Sequence, residues 1–322
     1  MKPFSIGSVQ IENPVILAPM ENVTNSIFRR IVKPFGPSLM FTEFCSSMGL
    51  MYGRDKIWDM VRFHPSERPI TIQIFGSDPK VMSECAKKME ELGADILDIN
   101  CGCSVPKMDK ISAGAYLARK KSLLQEVMEA VVRAVKIPVT IKVRKGWNEN
   151  NITCFDIAHM AESLGFSAIT VHGRTSVQAY SGKADWETID AVSRSVKIPV
   201  IGSGDVTSAE DAYERLSKTN VSAVMIGRGV MGNPWVFREI LGFLKTGQKL
   251  PAPTREEKFK VVSEHLELSC EVLGEVEGVR ELRRHLSWYI RELPNAAATR
   301  GKLYTVVTKK QAQDLLNNFF LN

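Results

Sequence analysis

Eight short apolar segments, separated by amphipathic stretches, run from residue 15 to about residue 230, and no other feature constrains the fold as strongly. They are Val15-Ala18, Met40-Glu43, Ile70-Ile74, Ile96-Asn100, Val139-Val143, Ala168-His172, Val200-Gly202 and Ala223-Gly227. Short apolar runs alternating with helical periodicity read as the parallel strands of βα units. Eight of them in this length predict an α/β fold of the TIM (β/α)8 barrel type rather than an open doubly wound sheet. A local repeat supports the assignment: Val135-Lys-Ile-Pro-Val139 and Val196-Lys-Ile-Pro-Val200 each close a helix with proline and open a strand. Gly93 and Gly165 follow helical stretches where a left-handed C-cap is expected.

After Pro234 strands disappear, Lys249-Leu-Pro-Ala-Pro253 reads as a linker, and helical periodicity continues to the end. The expected division is a barrel over 1–240 and an all-helical C-terminal domain over 241–322. Thr254-Arg-Glu-Glu257 has the capping-box pattern, with Thr254 as N-cap. Most of the net charge of +6 lies over residues 280–322, where Arg280, Arg283, Arg284, Arg291, Arg300, Lys302, Lys309 and Lys310 stand against Glu281, Glu292 and Asp314. Such an excess beside Trp288, Tyr289 and Tyr304 suits an RNA phosphate backbone, although a solvated helix face has the same pattern.

With 44% hydrophobic and 24% charged residues the chain is neither disordered nor fibrous. It has no run of eighteen apolar residues, and the polar residues that interrupt the first fourteen positions fit neither a membrane span nor a secretory core, so a cytoplasmic location without membrane contact is expected. Six scattered cysteines without metal-ligand spacing indicate free thiols and no metal. Nothing calls for an obligate protein partner.

A barrel of this type carries its site at the carboxyl ends of the strands, with phosphate often bound after the seventh and eighth. Ile201-Gly-Ser-Gly-Asp205 and Ile226-Gly-Arg-Gly229 fall there, offering small residues for close backbone approach and one guanidinium. Gln73, Asn100, Lys142 and His172 are polar residues in otherwise apolar segments, which is costly unless they share a polar site. Cys103, on the loop after the fourth segment, is a candidate proton donor, because an ordinary thiol titrates near ~8.5 and stays protonated at neutrality.

These residues resemble the tRNA-dihydrouridine synthase family along the whole chain. The resemblance is carried by Ala18-Pro-Met-Glu-Asn-Val-Thr-Asn-Ser-Ile-Phe-Arg29, Gln73-Ile-Phe-Gly-Ser-Asp-Pro79, Asp98-Ile-Asn-Cys-Gly-Cys103, Lys142-Val-Arg-Lys-Gly-Trp147, Val171-His-Gly-Arg-Thr-Ser-Val-Gln-Ala-Tyr-Ser-Gly182, Gly227-Arg-Gly-Val-Met-Gly-Asn-Pro-Trp235 and Leu282-Arg-Arg-His-Leu-Ser-Trp288. It implies an FMN-containing barrel that reduces the C5–C6 bond of a tRNA uridine with NADPH as electron donor. Pro19, Met20, Gln73, Lys142 and His172 would hold the flavin, and Ser203, Gly204, Asp205, Gly227 and Arg228 its phosphate. Cys103 would be the catalytic acid. Asn100, Arg174, Arg280, Arg283, Arg284, His285 and Lys302 would meet substrate or RNA. The chain departs from the family pattern at Asn25, Cys101, Ser104 and Ser203.

Three other readings fit parts of the pattern. They are a flavin-dependent reductase or dehydrogenase of a small pyrimidine, a non-catalytic RNA-binding barrel, and an aldolase using Lys142 as a Schiff-base amine.

Overall fold

The computed structural model describes residues 3–53, 55–291 and 293–321. All eight segments are parallel strands: β1 Val15–Leu17, β2 Leu39–Phe41, β3 Ile70–Phe75, β4 Ile96–Cys101, β5 Val139–Arg144, β6 Ala168–His172, β7 Val200–Ser203 and β8 Ala223–Ile226. Each pairs with its sequence neighbour, and β8 returns to β1 through Val224 opposite Val15, which closes the barrel. A two-residue strand, Cys45–Ser46, pairs alongside the far end of β3.

Alternation along each strand separates two buried sets. On β4, Leu97, Ile99 and Cys101 pack outward with the helices, while Ile96 fills the barrel and shares its face with Asp98 and Asn100. A hairpin of Phe4–Ile6 and Val9–Ile11 closes the amino end, adding Ile6 and Ile11 to the interior beside Ile16, Ile96 and Ile201. The carboxyl end carries polar residues instead, so the site can form there only.

The surrounding helices are α1 Ser26–Val32, α2 Pro79–Glu91, α3 Lys121–Ala134, α4 Cys154–Ser163, α5 Trp186–Ser195, α6 Ala209–Lys218 and α7 Val236–Thr246. Between β2 and β3 the described residues form a short helix, Ser47–Tyr52, followed by two 3₁₀ turns, Asp55–Met60 and Pro65–Glu67. The repeated Val-Lys-Ile-Pro turns have one physical cause. Glu90 Oε1 accepts from Lys136 N at 2.7 Å and Ile137 N at 3.0 Å, and Glu162 Oε1 receives Lys197 N and Ile198 N in the same way. Gly93 and Gly165 both take the expected left-handed conformation.

The remaining helices are α8 Arg255–Leu273, α9 Glu275–Tyr289, α10 Ala296–Leu303 and α11 Lys309–Phe320. The Thr254 capping box is present, with Glu257 N donating to Thr254 Oγ1 at 3.2 Å and Thr254 N to Glu257 Oε2 at 2.9 Å. These helices bury their own core of Val262, Leu266, Leu282, Leu286, Leu316 and neighbours. The expected boundary at 240 falls inside α7, whose Val236, Phe237 and Ile240 still belong to the barrel core. Strand signals end at β8, but one further helix is needed to cover the outer face where β8 meets β1, so the chain leaves the barrel only after Gly247.

Several contacts join the units, among them the Arg238–Glu257 ion pair. Phe28 of α1 stacks near His285 at 4.8 Å and His265 at 5.9 Å between ring centroids. Gly232, at φ +74°, lets the last barrel loop lie against α9, where a Cβ would come within 2.4 Å of the Trp288 carbonyl oxygen. Gly232→Ala is expected to cost about 1–3 kcal/mol through backbone strain. A urea midpoint equal to that of the parent would show that the two backbones are free to separate.

Candidate active site

Two adjoining clefts open at the carboxyl ends of the strands and share Pro19, Lys142, His172 and Tyr180. The first, about 620 Å³, is bounded by Ala18, Met20, the Ser203-Gly-Asp205 turn and the Gly227-Arg-Gly229 turn. The second, about 880 Å³, is bounded by Phe44, Asn100, Gly102, Cys103, Ser104 and Arg144. The expected flavin-holding residues therefore meet in one cleft, except for Gln73. That residue is fully buried and borders neither cleft; its amide is occupied by Asp98 and Asn100.

The first cleft is lined by donors that lack protein partners. Lys142 and His172 are half-buried, and neither side chain forms a hydrogen bond or ion pair among the described residues. Polar groups at such depth normally have partners, so they call for a polar ligand. Burial, reinforced by the charge of Arg144, lowers Lys142 to about 8. Burial and the charges of Lys142, Arg144, Arg174 and Arg228 lower His172 to about 2, so its ring is neutral. An amine, a neutral imidazole and the half-exposed Arg228 beside small backbone turns fit the ring heteroatoms and phosphate of a flavin mononucleotide.

Asp205 does a different job from the one its position suggests. Its carboxylate accepts from Arg174 Nη2 at 2.8 and 2.9 Å and from Ala184 N at 2.7 Å. Although partial burial acts to raise its pKa, these donors hold Asp205 below the usual carboxylate range. The same carboxylate lies 3.5 Å from Arg228 Nη2, so it ties the turn to Arg174 and Arg228, the half-exposed cation at the edge of the cleft. Arg174, only 2% exposed and also donating to Ser181 O and Gly182 O, is a brace and not a surface RNA contact.

The thiol cleft is built by the loop after β4. Asn100 Oδ1 accepts from Gly102 N at 3.1 Å and from Cys103 N at 3.0 Å. Ala115 N donates to Cys103 O at 2.9 Å, and Gly114, at φ +59°, permits this approach because a Cβ there would lie 2.4 Å from the same oxygen. Ser104 stands where the family has proline, yet these bonds pin the loop. Burial raises the Cys103 pKa above the ordinary thiol value, against the opposing Val105 N–H and the charges of Lys107 and Arg144, which keeps the sulfur protonated at neutral pH. Cys101 points the other way on β4 and is 1% exposed in the outer core. Asn25 N-caps α1 by accepting from Phe28 N at 2.9 Å, a role a carboxylate would also fill.

Tyr180, Phe44 and Arg144 line the thiol cleft but were not among the residues singled out from the sequence. Tyr180 and Phe44 lie off the barrel strands and left no periodic signal. Arg144 could have been found, because it sits two residues after Lys142 on β5 and so shares its face. Tyr180, 62% exposed, stands between two guanidiniums, with Arg228 at 4.8 Å and Arg144 at 5.8 Å from its ring centroid.

Of the expected RNA contacts on the helical unit, Arg280, Arg284 and Lys302 are exposed. Arg280 pairs with Glu277 on its own helix. Arg283 is half-buried and donates from Nε to Val306 O at 2.8 Å. His285 is 4% exposed in the aromatic cluster with Phe28, His265 and Trp288, so it packs the joint between the units instead of facing RNA. Among the described residues no group of His, Cys, Asp and Glu is placed to hold a metal ion, and no helix is long and apolar enough to cross a membrane.

Comparison with known proteins bears on the same residues. The family model for dihydrouridine synthase (Dus) matches residues 16–322. A probable tRNA-dihydrouridine synthase of Rickettsia bellii (strain RML369-C) is 39% identical over 318 residues, covering 98% of each chain. The tRNA-dihydrouridine synthase B of Pseudomonas aeruginosa (strain PAO1) is 39% identical over 302 residues, covering 94% of this chain and 91% of its own. Among solved structures, histamine dehydrogenase from Rhizobium sp. 4-9 superposes with a TM-score of 0.59 at 12% identity, over 83% of this chain and 50% of that one. The 6-hydroxypseudooxynicotine amine oxidase of Pseudomonas geniculata N1 gives 0.60 at 14% identity, over 82% and 52%. This chain spans about half the length of those two structures, and their likeness shows the barrel fold alone. The sequence match runs through barrel and helical unit alike, across the cleft-lining turns, the thiol loop and α9, and the chain belongs to the dihydrouridine synthase family.

Proposed function

We propose that this chain reduces the C5–C6 double bond of a uridine in tRNA to 5,6-dihydrouridine. The observation that carries the reading is the continuity of the two clefts: the donor-lined half and the thiol-lined half meet through Pro19, Lys142, His172 and Tyr180. Pro19, Met20, Lys142 and His172 would hold the ring system of FMN; Ser203, Gly204, Gly227 and Arg228 would hold its phosphate end, with Asp205 and Arg174 bracing the turn. When bound, FMN supplies the hydride equivalent, drawn from NADPH. Saturating the bond also takes one proton, and the Cys103 thiol delivers it at C5. Asn100 borders the same cleft and offers amide chemistry to the pyrimidine edge, while Phe44 and Tyr180 give the base apolar and aromatic walls.

The uridine must leave its stack to enter, at a cost of a few kcal/mol that phosphate contacts elsewhere offset. We assign that grip to the helical unit, α8–α11, and the chemistry to the barrel with α7. His285 of α9 meets Phe28 of α1 at 4.8 Å, so α9 packs beside the helix that follows the Pro19–Met20 loop. Because tRNA is the substrate, this reading places the protein in the cytoplasm.

Unmodified tRNA incubated with the protein, FMN and NADPH is expected to gain dihydrouridine at defined positions, and mapping each position tests the assignment. Equal turnover on free uracil would instead favour a small-pyrimidine reductase. Replacing Arg284 and Lys302 together by alanine is expected to raise the KM for tRNA. It should also flatten the dependence of log(kcat/KM) on log[salt] by about 0.9 for each phosphate that is no longer neutralised. An unchanged salt slope would remove these two residues from the interface.

A further inference from the structure

Inside the barrel, beneath the thiol loop, three side chains form a hydrogen-bonded series with a single direction. Asp98, fully buried on β4, accepts at Oδ2 from Gln73 Nε2 at 2.7 Å, and at Oδ1 from Thr140 Oγ1 at 2.5 Å. Gln73 Oε1 accepts from Asn100 Nδ2 at 2.9 Å. Asn100 Oδ1 then accepts from the N–H groups of Gly102 and Cys103. We propose that Asp98 is a positioning residue for proton delivery: through Gln73 and Asn100, it sets the hydrogen-bond direction that holds the Cys103 loop.

Each carboxamide can accept at one end and donate at the other, so each could sit in either of two flipped states. Only the ends of the series choose between them. The Gly102 and Cys103 backbone groups are donors with no acceptor alternative. Burial raises the Asp98 pKa to about 6, so above that pH its carboxylate is ionised and can only accept. Between them both amides must run head to tail, oxygen toward the loop and nitrogen toward Asp98. Without the acceptor at 98, Gln73 is free to turn its nitrogen toward Asn100. Asn100 would follow, presenting an NH2 to two N–H donors, and the loop would lose both bonds. Asp98 borders neither cleft; apart from its charge acting on Lys142 and its bond from Thr140, it reaches the thiol loop through the series.

This inference rests on the reading of Cys103 as the proton donor, and its test separates the two. In the FMN-loaded protein, Asp98→Leu removes the acceptor. It is expected to lower kcat on tRNA about tenfold or more, with KM and FMN content within about twofold of the parent. Deuterium exchange at the Gly102 and Cys103 amides should speed up. Adding Gln73→Glu to Asp98→Leu moves the acceptor-only end one link closer to the loop; it should slow that exchange again and recover most of the lost kcat. Should Asp98→Leu fail to fold, Gln73→Leu cuts the same series and carries the same expectation for exchange. Parent exchange and parent kcat in Asp98→Leu, or a double variant no better than the single one, would overturn the proposal. Full turnover in Cys103→Ala would defeat the proton-donor reading while leaving the exchange result to stand alone.

Discussion

Cys103→Ala is expected to lower kcat on unmodified tRNA by about 10²–10⁴-fold, the usual contribution of a positioned general acid. FMN content and the KM for tRNA should change little, because Cys103 borders the thiol cleft and not the cleft lined by Ser203 and Arg228. The sign of the pH dependence follows from its surroundings. Burial raises the thiol's pKa above its ordinary value, so the proton is present throughout the neutral range. As pH rises through that elevated pKa the donor is lost, so the thiol contributes a fall in kcat on the alkaline side, above the one set by Lys142 at about 8. A variant lacking the thiol should lose this limb of the profile as well as its rate. Single-turnover measurement of dihydrouridine formation across pH, in parent and variant, checks both. A variant that reduces tRNA at the parent rate would mean the proton comes from elsewhere.

Glu67→Ala is expected to destabilise the fold by about 3–5 kcal/mol, because it leaves a buried guanidinium without its counter-charge. Arg29 and Glu67 both have side chains that are 0% exposed and meet at 2.6 Å. Glu67 also accepts from His64 N at 2.7 Å and from Ser26 Oγ, and Arg29 donates to Thr24 O at 2.6 Å and Arg62 O at 3.0 Å. The pair thus ties the start of α1 to the segment before β3 and holds the loop that carries Pro19 and Met20 into the cleft. Weaker FMN retention should therefore accompany the loss of stability. Replacing both partners with apolar residues of similar size, Arg29→Met with Glu67→Leu, should recover much of the loss, since no unpaired charge is then buried. Urea unfolding of the parent, single and double variants distinguishes these outcomes; a Glu67→Ala midpoint equal to the parent's would show that water or another group reaches Arg29.

The pattern of two along each strand was legible from the residues alone, and it correctly put Asn100, Lys142 and His172 on the inward face. It also separates the two neighbouring thiols. Position 101 shares the outward face with Ile99, which explains its burial, and Cys103 lies beyond the strand's end. Periodicity gives a face but not a depth, however. Gln73 points inward yet lies below the cleft, and Asp98, the anchor of the series under Cys103, carries the same signal of a polar group in an apolar segment without telling how deep it lies. Charge counting had the same weakness in the helical unit. Arg280, Arg284 and Lys302 are exposed cations, but His285 is internal, as is Arg174 on the barrel.

Some features depend on neighbours along the chain: strand periodicity, the Thr254 capping box, the left-handed turns at Gly93 and Gly165. They follow from backbone sterics and from hydrogen bonds a few residues apart, so the order of residues decides them. Burial and pairing do not work this way. That Asp205 meets Arg174, that Glu67 meets Arg29, and that Asn100 holds a thiol loop while itself held by Gln73 required the barrel to close and bring distant segments together. Those contacts, between groups separated by tens of residues, decide which charges remain free to meet a ligand.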